Sequence, residues 1–99
     1  MSESVTFKAV LQSGGKVQVP RLVRWQYKME PDQVLTVIVS GTEFLSSESF
    51  VGRMRRDGRL TIPKLILKVL SGEKEGNLEG CVLEITLEPG EEQSEKKDC

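Results

Sequence analysis

The sequence predicts a mainly β fold with two short helices, built from two copies of one strand–strand–helix–strand unit. A turn glycine, a short strand and a proline follow one another from Gly15 to Pro20, and the same order returns from Gly58 to Pro63. A chain of 99 residues can bury one modest core, whereas half of that length is too short to bury a core alone. We therefore expect the two copies to share a single core, as a pseudo-dimer within one chain.

The first copy is predicted to cover about residues 4–40. Residues 5–11 alternate loosely between apolar and polar side chains, which is typical of a half-buried strand. A turn signal precedes a second strand over residues 16–19, so these two segments are expected to form a β-hairpin. The last strand, residues 34–39, is apolar and rich in β-branched side chains, which favours burial on both faces.

The second copy is predicted to cover about residues 48–87, and its pattern is the clearer one. Asp57-Gly58 is a strong hairpin signal between strands at residues 50–56 and 59–62, because glycine tolerates a positive φ. Cys81, at the start of the last apolar run, is expected to be a small buried residue. The alternation that follows places three apolar side chains inward: Leu83, Ile85 and Leu87.

Each copy has a short helix that a proline opens. Pro20 and Pro63 suit the first helical position, where a backbone N–H is not needed. The spacing of apolar residues predicts a buried face for each helix. For residues 21–28 this face is Leu22, Val23 and Tyr27, and for residues 64–70 it is Leu65, Ile66, Val69 and Leu70.

Composition excludes several classes of protein. The sequence has no histidine and two cysteines, which removes the commonest general base and leaves no pattern of metal ligands. It has no phosphate-cradling Gly-x-x-x-x-Gly-Lys segment, and we expect neither an enzyme nor a cofactor. No apolar run approaches the roughly 18 residues of a membrane span, and no signal peptide is recognisable. The expected location is therefore the cytoplasm, away from membranes.

Charge is distributed unevenly, although the net charge is only −1. Basic side chains concentrate between residues 50 and 70, where Asp57 is the acid among them: Arg53, Arg55, Arg56, Arg59, Lys64 and Lys68. Charged residues can protect an edge strand from pairing, and the residues alone favour this interpretation. Arginine also has a planar fork that suits phosphate and guanine. Residues 88–99 form an acidic tail that is expected to lack order.

One family resemblance is carried by residues 57–64, Asp-Gly-Arg-Leu-Thr-Ile-Pro-Lys. They resemble the signature of the AbrB/SpoVT swapped-hairpin DNA-binding domains, in which G-R-[VIL]-x-[IL]-P precedes a short helix. Residues 29–35 and 79–85 resemble the helix-exit segment of the same family. The resemblance covers about residues 4–87. The first copy departs from it, because Gly14-Gly15-Lys16 stands where the second copy has Asp57-Gly58-Arg59.

The resemblance implies a swapped-hairpin barrel, formed over residues 1–87 by two tandem, pseudo-symmetric repeats whose hairpins interleave. Members of the family are mostly transcription regulators or antitoxins, so it also implies sequence-selective binding to double-stranded DNA. Carried over by position, the DNA contacts lie mainly in the second copy, which is expected to dominate: Arg53, Arg55, Arg56, Arg59, Lys64 and Lys68. In the first copy they are Lys16, Arg21 and Arg24.

Several alternatives stay open at this point. The chain can instead be an antitoxin-like or adaptor module that binds a protein, with the acidic tail as a contact. Lys64 and Lys68 also fit a solvated helix face. Trp25 is expected to cap the barrel, or else to belong to a partner surface. The expected assembly is a monomeric pseudo-dimer or a homodimer.

Overall fold

The computed structural model describes residues 3–41, 47–71 and 78–89. These residues form six strands and two helices in the order strand, strand, helix, strand, which occurs twice. In chain order the elements are β1 (Val5–Val10), β2 (Lys16–Gln18), α1 (Arg21–Gln26), β3 (Val34–Gly41), β4 (Ser47–Arg53), β5 (Arg59–Thr61), α2 (Lys64–Ser71) and β6 (Val82–Pro89). The prediction of a mainly β fold with two short helices is therefore confirmed. The acidic tail predicted to begin at residue 88 begins later, because Glu88 and Pro89 end β6 and pair with β3. The rest of the predicted tail lies outside the described residues.

The strands form two antiparallel sheets. The larger sheet has the order β1-β6-β3-β4, and β2 pairs with β5 in a separate two-stranded ribbon. The central strands meet with Ile38 opposite Thr86. At one edge of the large sheet, β1 pairs with β6 from the other end of the chain. At the other edge, β4 pairs with β3, the strand before it in the sequence.

Neither predicted hairpin forms a continuous ladder. In the second one, β4 pairs with β3 and β5 pairs with β2, while the backbone N–H of Arg55 donates across the turn to the carbonyl oxygen of Arg59 at 2.9 Å. The first one, between residues 5–11 and 16–19, is also interrupted. An isolated bridge between Gln12 and Lys16 joins the two segments. β1 instead pairs along its whole length with β6, from Val5 opposite Leu87 onward, while β2 pairs with β5. The physical reason is length, because the three residues of β2 offer few cross-strand contacts, whereas β6 can pair with every residue of β1.

The core follows from the alternation of the strands. Leu83, Ile85 and Leu87 of β6 are fully buried, as predicted, and pack in one cluster with residues of β3 and of the ribbon. In β3, alternate residues are buried and the others half-buried. The prediction that both faces of this strand are buried therefore holds fully for one face only. Burying a side chain of this size contributes roughly 1.5–3 kcal/mol, so the fully buried residues of the two central strands contribute substantially to stability.

The buried faces of the helices differ from the prediction. In α2, Leu70 is buried and Ile66 half-buried, as predicted, but Leu67 is buried as well, whereas Leu65 is 70% exposed and Val69 is also exposed. Residues three or four apart share a helix face, so α2 carries two apolar stripes, and the stripe through Leu67 is the one that faces the core. In α1, two of the predicted residues are half-buried, but Leu22 is exposed.

Two single residues also differ from expectation. Trp25 is 78% exposed, so it does not cap the core. Cys81 is exposed rather than buried, because it precedes β6 instead of contributing to the inward face. Within the described residues, no helix is long and apolar enough to cross a membrane.

Candidate nucleic-acid interface

The ribbon formed by β2 and β5 has a buried face and an outward face. Val17 and Leu60 lie opposite each other and point into the core. Because side chains alternate along a strand, their neighbours in the two strands point outward. Lys16 lies opposite Thr61, and Gln18 lies opposite Arg59. The outward face therefore carries two cross-strand pairs, each with one cation.

The second feature is the turn from Arg55 to Gly58, here called the basic turn. Gly58 has φ +85°, and its backbone N–H donates to the carbonyl oxygen of Arg55 at 2.8 Å. The Asp57 carboxylate accepts a hydrogen bond from the backbone N–H of Arg59 at 3.1 Å. These bonds close the turn tightly and leave the side chains of Arg55 and Arg56 exposed.

Arg24 of α1 lies against the basic turn, although α1 belongs to the other copy. A Cβ placed on Gly58 would lie 2.5 Å from Cζ of Arg24 and 2.7 Å from its Nε. The backbone N–H of Val19 donates to the carbonyl oxygen of Gly58 at 2.9 Å, which ties the chain before α1 to the same turn. Arg24 Nε is buried, and among the described residues it has no hydrogen-bond partner. Its charge thus adds to that of the turn.

An open cleft of about 630 Å³ runs along α1 and adjoins this region. Three cations line it, namely Arg21, Arg24 and Lys28, together with the exposed indole of Trp25. The sequence analysis did not select Lys28, which lies beyond the end of α1 and has φ +55°, so helical spacing does not place it beside Arg24. The cleft extends the positive charge of the basic turn along the helix.

The remaining predicted cations lie elsewhere. Lys64 lines a cavity of about 190 Å³ beside Gly14 and Gly15, and Nζ of Lys16 lies 3.3 Å from the position of a Cβ on Gly14. Lys16 and Lys64 therefore gather at the turn of the first copy. Lys68 is exposed on α2, as a solvated helix face would be.

Arg53 stands apart from both groups. It ends β4 opposite Val34, and its Nη1 donates to the carbonyl oxygen of Asp32 at 3.0 Å. This bond ties β4 to the segment that follows α1. Arg53 therefore has a structural role in the folded chain, in addition to any contact it makes with a ligand.

The predicted cations thus fall into two groups that do not follow the two copies, and Arg53 and Lys68 lie outside both. Arg24, Arg55, Arg56 and Arg59 meet at the basic turn, with Arg21 in the adjoining cleft, so the helix of the first copy joins the turn of the second. The expectation that the second copy dominates stays a prediction: three of the four arginines at the turn belong to it, and the pairing of β2 with β5 brings Arg24 of the first copy beside them. Among the described residues, no group of three potential metal ligands occurs.

Comparison with known proteins gives a fold but no family. No family model matches the sequence, and no curated protein matches it. The chain is similar to the solution structure of PHS018 from Pyrococcus horikoshii, with a TM-score of 0.71 and 21% sequence identity over 90% of this chain and 94% of that chain. At this identity the similarity shows the fold alone.

Proposed function

We propose that this chain is a sequence-selective, double-stranded DNA-binding protein of the swapped-hairpin type that acts as a transcription regulator. The observation that carries the proposal is the cluster of four arginines at one end of the ribbon: Arg24, Arg55, Arg56 and Arg59. A two-stranded β-ribbon fits into the major groove, which is about 12 Å wide. The flanking turn and α1 then supply positive charge for the phosphates on either side.

The swapped-hairpin interpretation is supported by matched hydrogen bonds. The N–H of Val19 donates to the carbonyl of Gly58 at 2.9 Å, and the N–H of Ile62 donates to the carbonyl of Gly15 at 2.8 Å. Each bond joins the end of one copy's second strand to the turn glycine of the other copy. The large sheet has the same character, because β1 pairs with β6 and β4 pairs with β3.

The mechanism follows from the placement of the charges. Arginines on the turn and in the α1 cleft neutralise phosphates and release counterions, which supplies affinity without sequence preference. Arg59, on the outward face of the ribbon, is in a position to donate to base edges, since arginine can contact the O6 and N7 atoms of guanine together. The cations at the other end of the ribbon are lysines, which bind as point charges. We therefore expect a non-palindromic site that the arginine end dominates.

The test measures binding to duplex DNA as a function of salt. Arg55→Ala/Arg56→Ala removes two exposed cations without disturbing the bond that Arg53 makes to Asp32. Each lost phosphate contact lowers the slope of log K against log salt by about 0.9, so the double variant should lose about 1.8. No binding of the wild-type protein at about 50 mM salt, where non-specific affinity is readily measured, would overturn the proposal.

Two controls sharpen this test. Lys64→Ala/Lys68→Ala removes the same charge from α2 and is expected to change the slope less, because Lys64 lies at the other turn. Lys8→Ala, on β1 opposite Glu84, should leave it unchanged. Trp25 is the only tryptophan of the chain and lies in the cleft with Arg24, so its fluorescence provides a readout of binding near the basic turn.

A second candidate function is an antitoxin-like or adaptor module that binds a protein. The exposed apolar side chains of the helices favour it: Leu22, Trp25, Leu65 and Val69. Exposed tryptophan beside arginine is typical of protein interfaces. Truncation after Pro89 tests the tail in both functions, because stronger DNA binding by the truncated chain supports competition between the tail and DNA, whereas unchanged DNA binding leaves the tail to a protein partner.

A further inference from the structure

We infer that Arg59 and Gln18 form one base-reading pair, in which Arg59 donates to guanine and Gln18 is the positioning residue that holds its guanidinium. The inference rests on the proposed DNA-binding function. It adds the residue that sets specificity and the base that is read. Gln18 is uncharged, so its contribution can be separated from the general attraction between cations and phosphates.

The geometry of Gln18 fixes the direction of its amide. The side-chain nitrogen donates to the carbonyl oxygen of Asp57 at 2.9 Å and to that of Val19 at 3.3 Å. Both acceptors are carbonyl oxygens, so a reversed amide would set oxygen against oxygen, and the nitrogen must face them. The remaining atom, Oε1, therefore faces β5, where it accepts from Nε of Arg59 at 3.4 Å.

Arg59 is held on more than one side. Its Nε donates to Gln18 and lies 4.0 Å from Oδ2 of Asp57, while its backbone N–H donates to Oδ1 of the same carboxylate. A guanidinium is planar, so contacts at Nε orient the whole group and leave the two terminal nitrogens as a fork. That fork matches the two acceptors that guanine presents in the major groove. A side chain that is already oriented loses less freedom on binding, which favours the matching base over others.

The other end of the ribbon provides a natural comparison. There Lys16 lies opposite Thr61, in the register that Arg59 and Gln18 occupy at the first end. The Lys16 ammonium lies near Gly14 of its own turn and has no planar fork, and a threonine side chain is shorter than a glutamine. The second pair therefore lacks a rigid planar fork whose direction an amide acceptor fixes. The ribbon thus reads a guanine at one end without a symmetric counterpart.

The experiment selects bound sequences from a random duplex pool and compares three variants with the wild-type protein. Gln18→Ala is expected to weaken the guanine preference at one position about tenfold and to leave the salt slope unchanged, because the residue is neutral. Arg59→Lys keeps the charge and should lose the same preference. Thr61→Ala, at the matching position of the other pair, should leave the selected sequence unchanged.

Further variants guard against an effect on folding. Gln18→Met keeps the length of the side chain but offers Arg59 no strong acceptor, so the same loss is expected. Gln18→Glu keeps an acceptor for Arg59 but sets its other oxygen against the carbonyl oxygens of Asp57 and Val19, so it should retain only part of the preference. Far-UV circular dichroism checks that each variant is folded. The inference is supported if the guanine preference at one position is lost in the variants without an acceptor and partly kept in Gln18→Glu. A merely structural role would not change the preference at one base.

Three outcomes count against the inference. If the wild-type protein selects a site and Gln18→Ala selects the same site equally well, the pair is not the reader, while the proposed DNA-binding function stands. An affinity loss that is equal for all sequences has the same meaning, because Gln18 would then support general affinity. If the wild-type protein binds no duplex at about 50 mM salt, both the inference and the proposed function fail.

Discussion

Replacement of Gly58 by alanine tests how the basic turn and α1 depend on each other. Gly58 has φ +85°, a conformation that side chains with a Cβ rarely adopt. The new methyl group would also meet the guanidinium of Arg24, at 2.5 Å from Cζ. Gly58→Ala therefore combines a backbone cost with a steric one, and the two can be separated within this chain.

Gly80→Ala supplies the matched control. Gly80 also has φ +85°, but no described atom lies within 4 Å of its Cβ position. A left-handed conformation costs about 1–2 kcal/mol for a residue with a Cβ, and both variants should lose this amount of unfolding free energy. The clash with Arg24 should add about 1 kcal/mol, at the low end for overpacking, because the end of a flexible side chain can move. For a domain of this size each kcal/mol lowers Tm by roughly 4–8 °C.

The larger consequence concerns DNA. Displacing the guanidinium of Arg24 from the turn should remove one phosphate contact in Gly58→Ala and lower the salt slope by about 0.9, whereas Gly80→Ala should bind as the wild-type protein does. Urea unfolding should be followed by far-UV circular dichroism, because Trp25 is 78% exposed in the folded chain and is a poor reporter of unfolding. Equal DNA binding by the two variants would refute the role given to Arg24. A Gly80→Ala variant of unchanged stability would refute the backbone argument.

Three further predictions concern charge and burial. Asp57→Asn should raise non-specific DNA affinity a few-fold by anisotropy titration, because it removes a negative charge while its amide oxygen can still accept from the N–H of Arg59; weaker binding would contradict this. Leu83→Ala should lower the unfolding free energy by about 2–5 kcal/mol, whereas the exposed Val82→Ala should change it by less than about 0.5 kcal/mol in the same urea titration. Trp25→Ala should also cost no more than about 0.5 kcal/mol, and a loss of several kcal/mol would show that the indole supports the core.

The alternation of strands could be predicted from the sequence, but the orientation of a short helix could not. In β6 one set of alternate residues is apolar and the other is mixed, so only one orientation buries Leu83, Ile85 and Leu87. In α2 two stripes are apolar, one through Leu65 and one through Leu67. Periodicity does not distinguish them, and the sheet against which the helix packs decides which stripe is buried.

The pairing of strands depends on contacts that local sequence does not describe. The turn signal before residue 16 corresponds to the observed turn at Gly14-Gly15, and Gln12 does bridge Lys16. Beyond that bridge, β1 can pair either with β2, which is short and close in sequence, or with β6, which is longer and comes from the far end of the chain. β6 pairs with β1 from Val10 opposite Val82 to Val5 opposite Leu87, and each pair adds side-chain contacts that β2 cannot offer.

The candidate site combines both limits, and Arg24 shows how. When the two copies are aligned on Gly15 and Gly58, Arg24 stands where the second copy has Leu67, a buried residue that packs near Gly15. A long cation at a position of the core stripe is a signal that its charged end must emerge beside the turn over which it packs. That turn comes from the other copy. Counting the charges of each copy separately therefore assigns the cations of one surface to two different surfaces. Replacing Arg24 of the first copy or Arg55 of the second by alanine should therefore weaken DNA binding at the same surface. Each variant should lower the slope of log K against log salt by about 0.9.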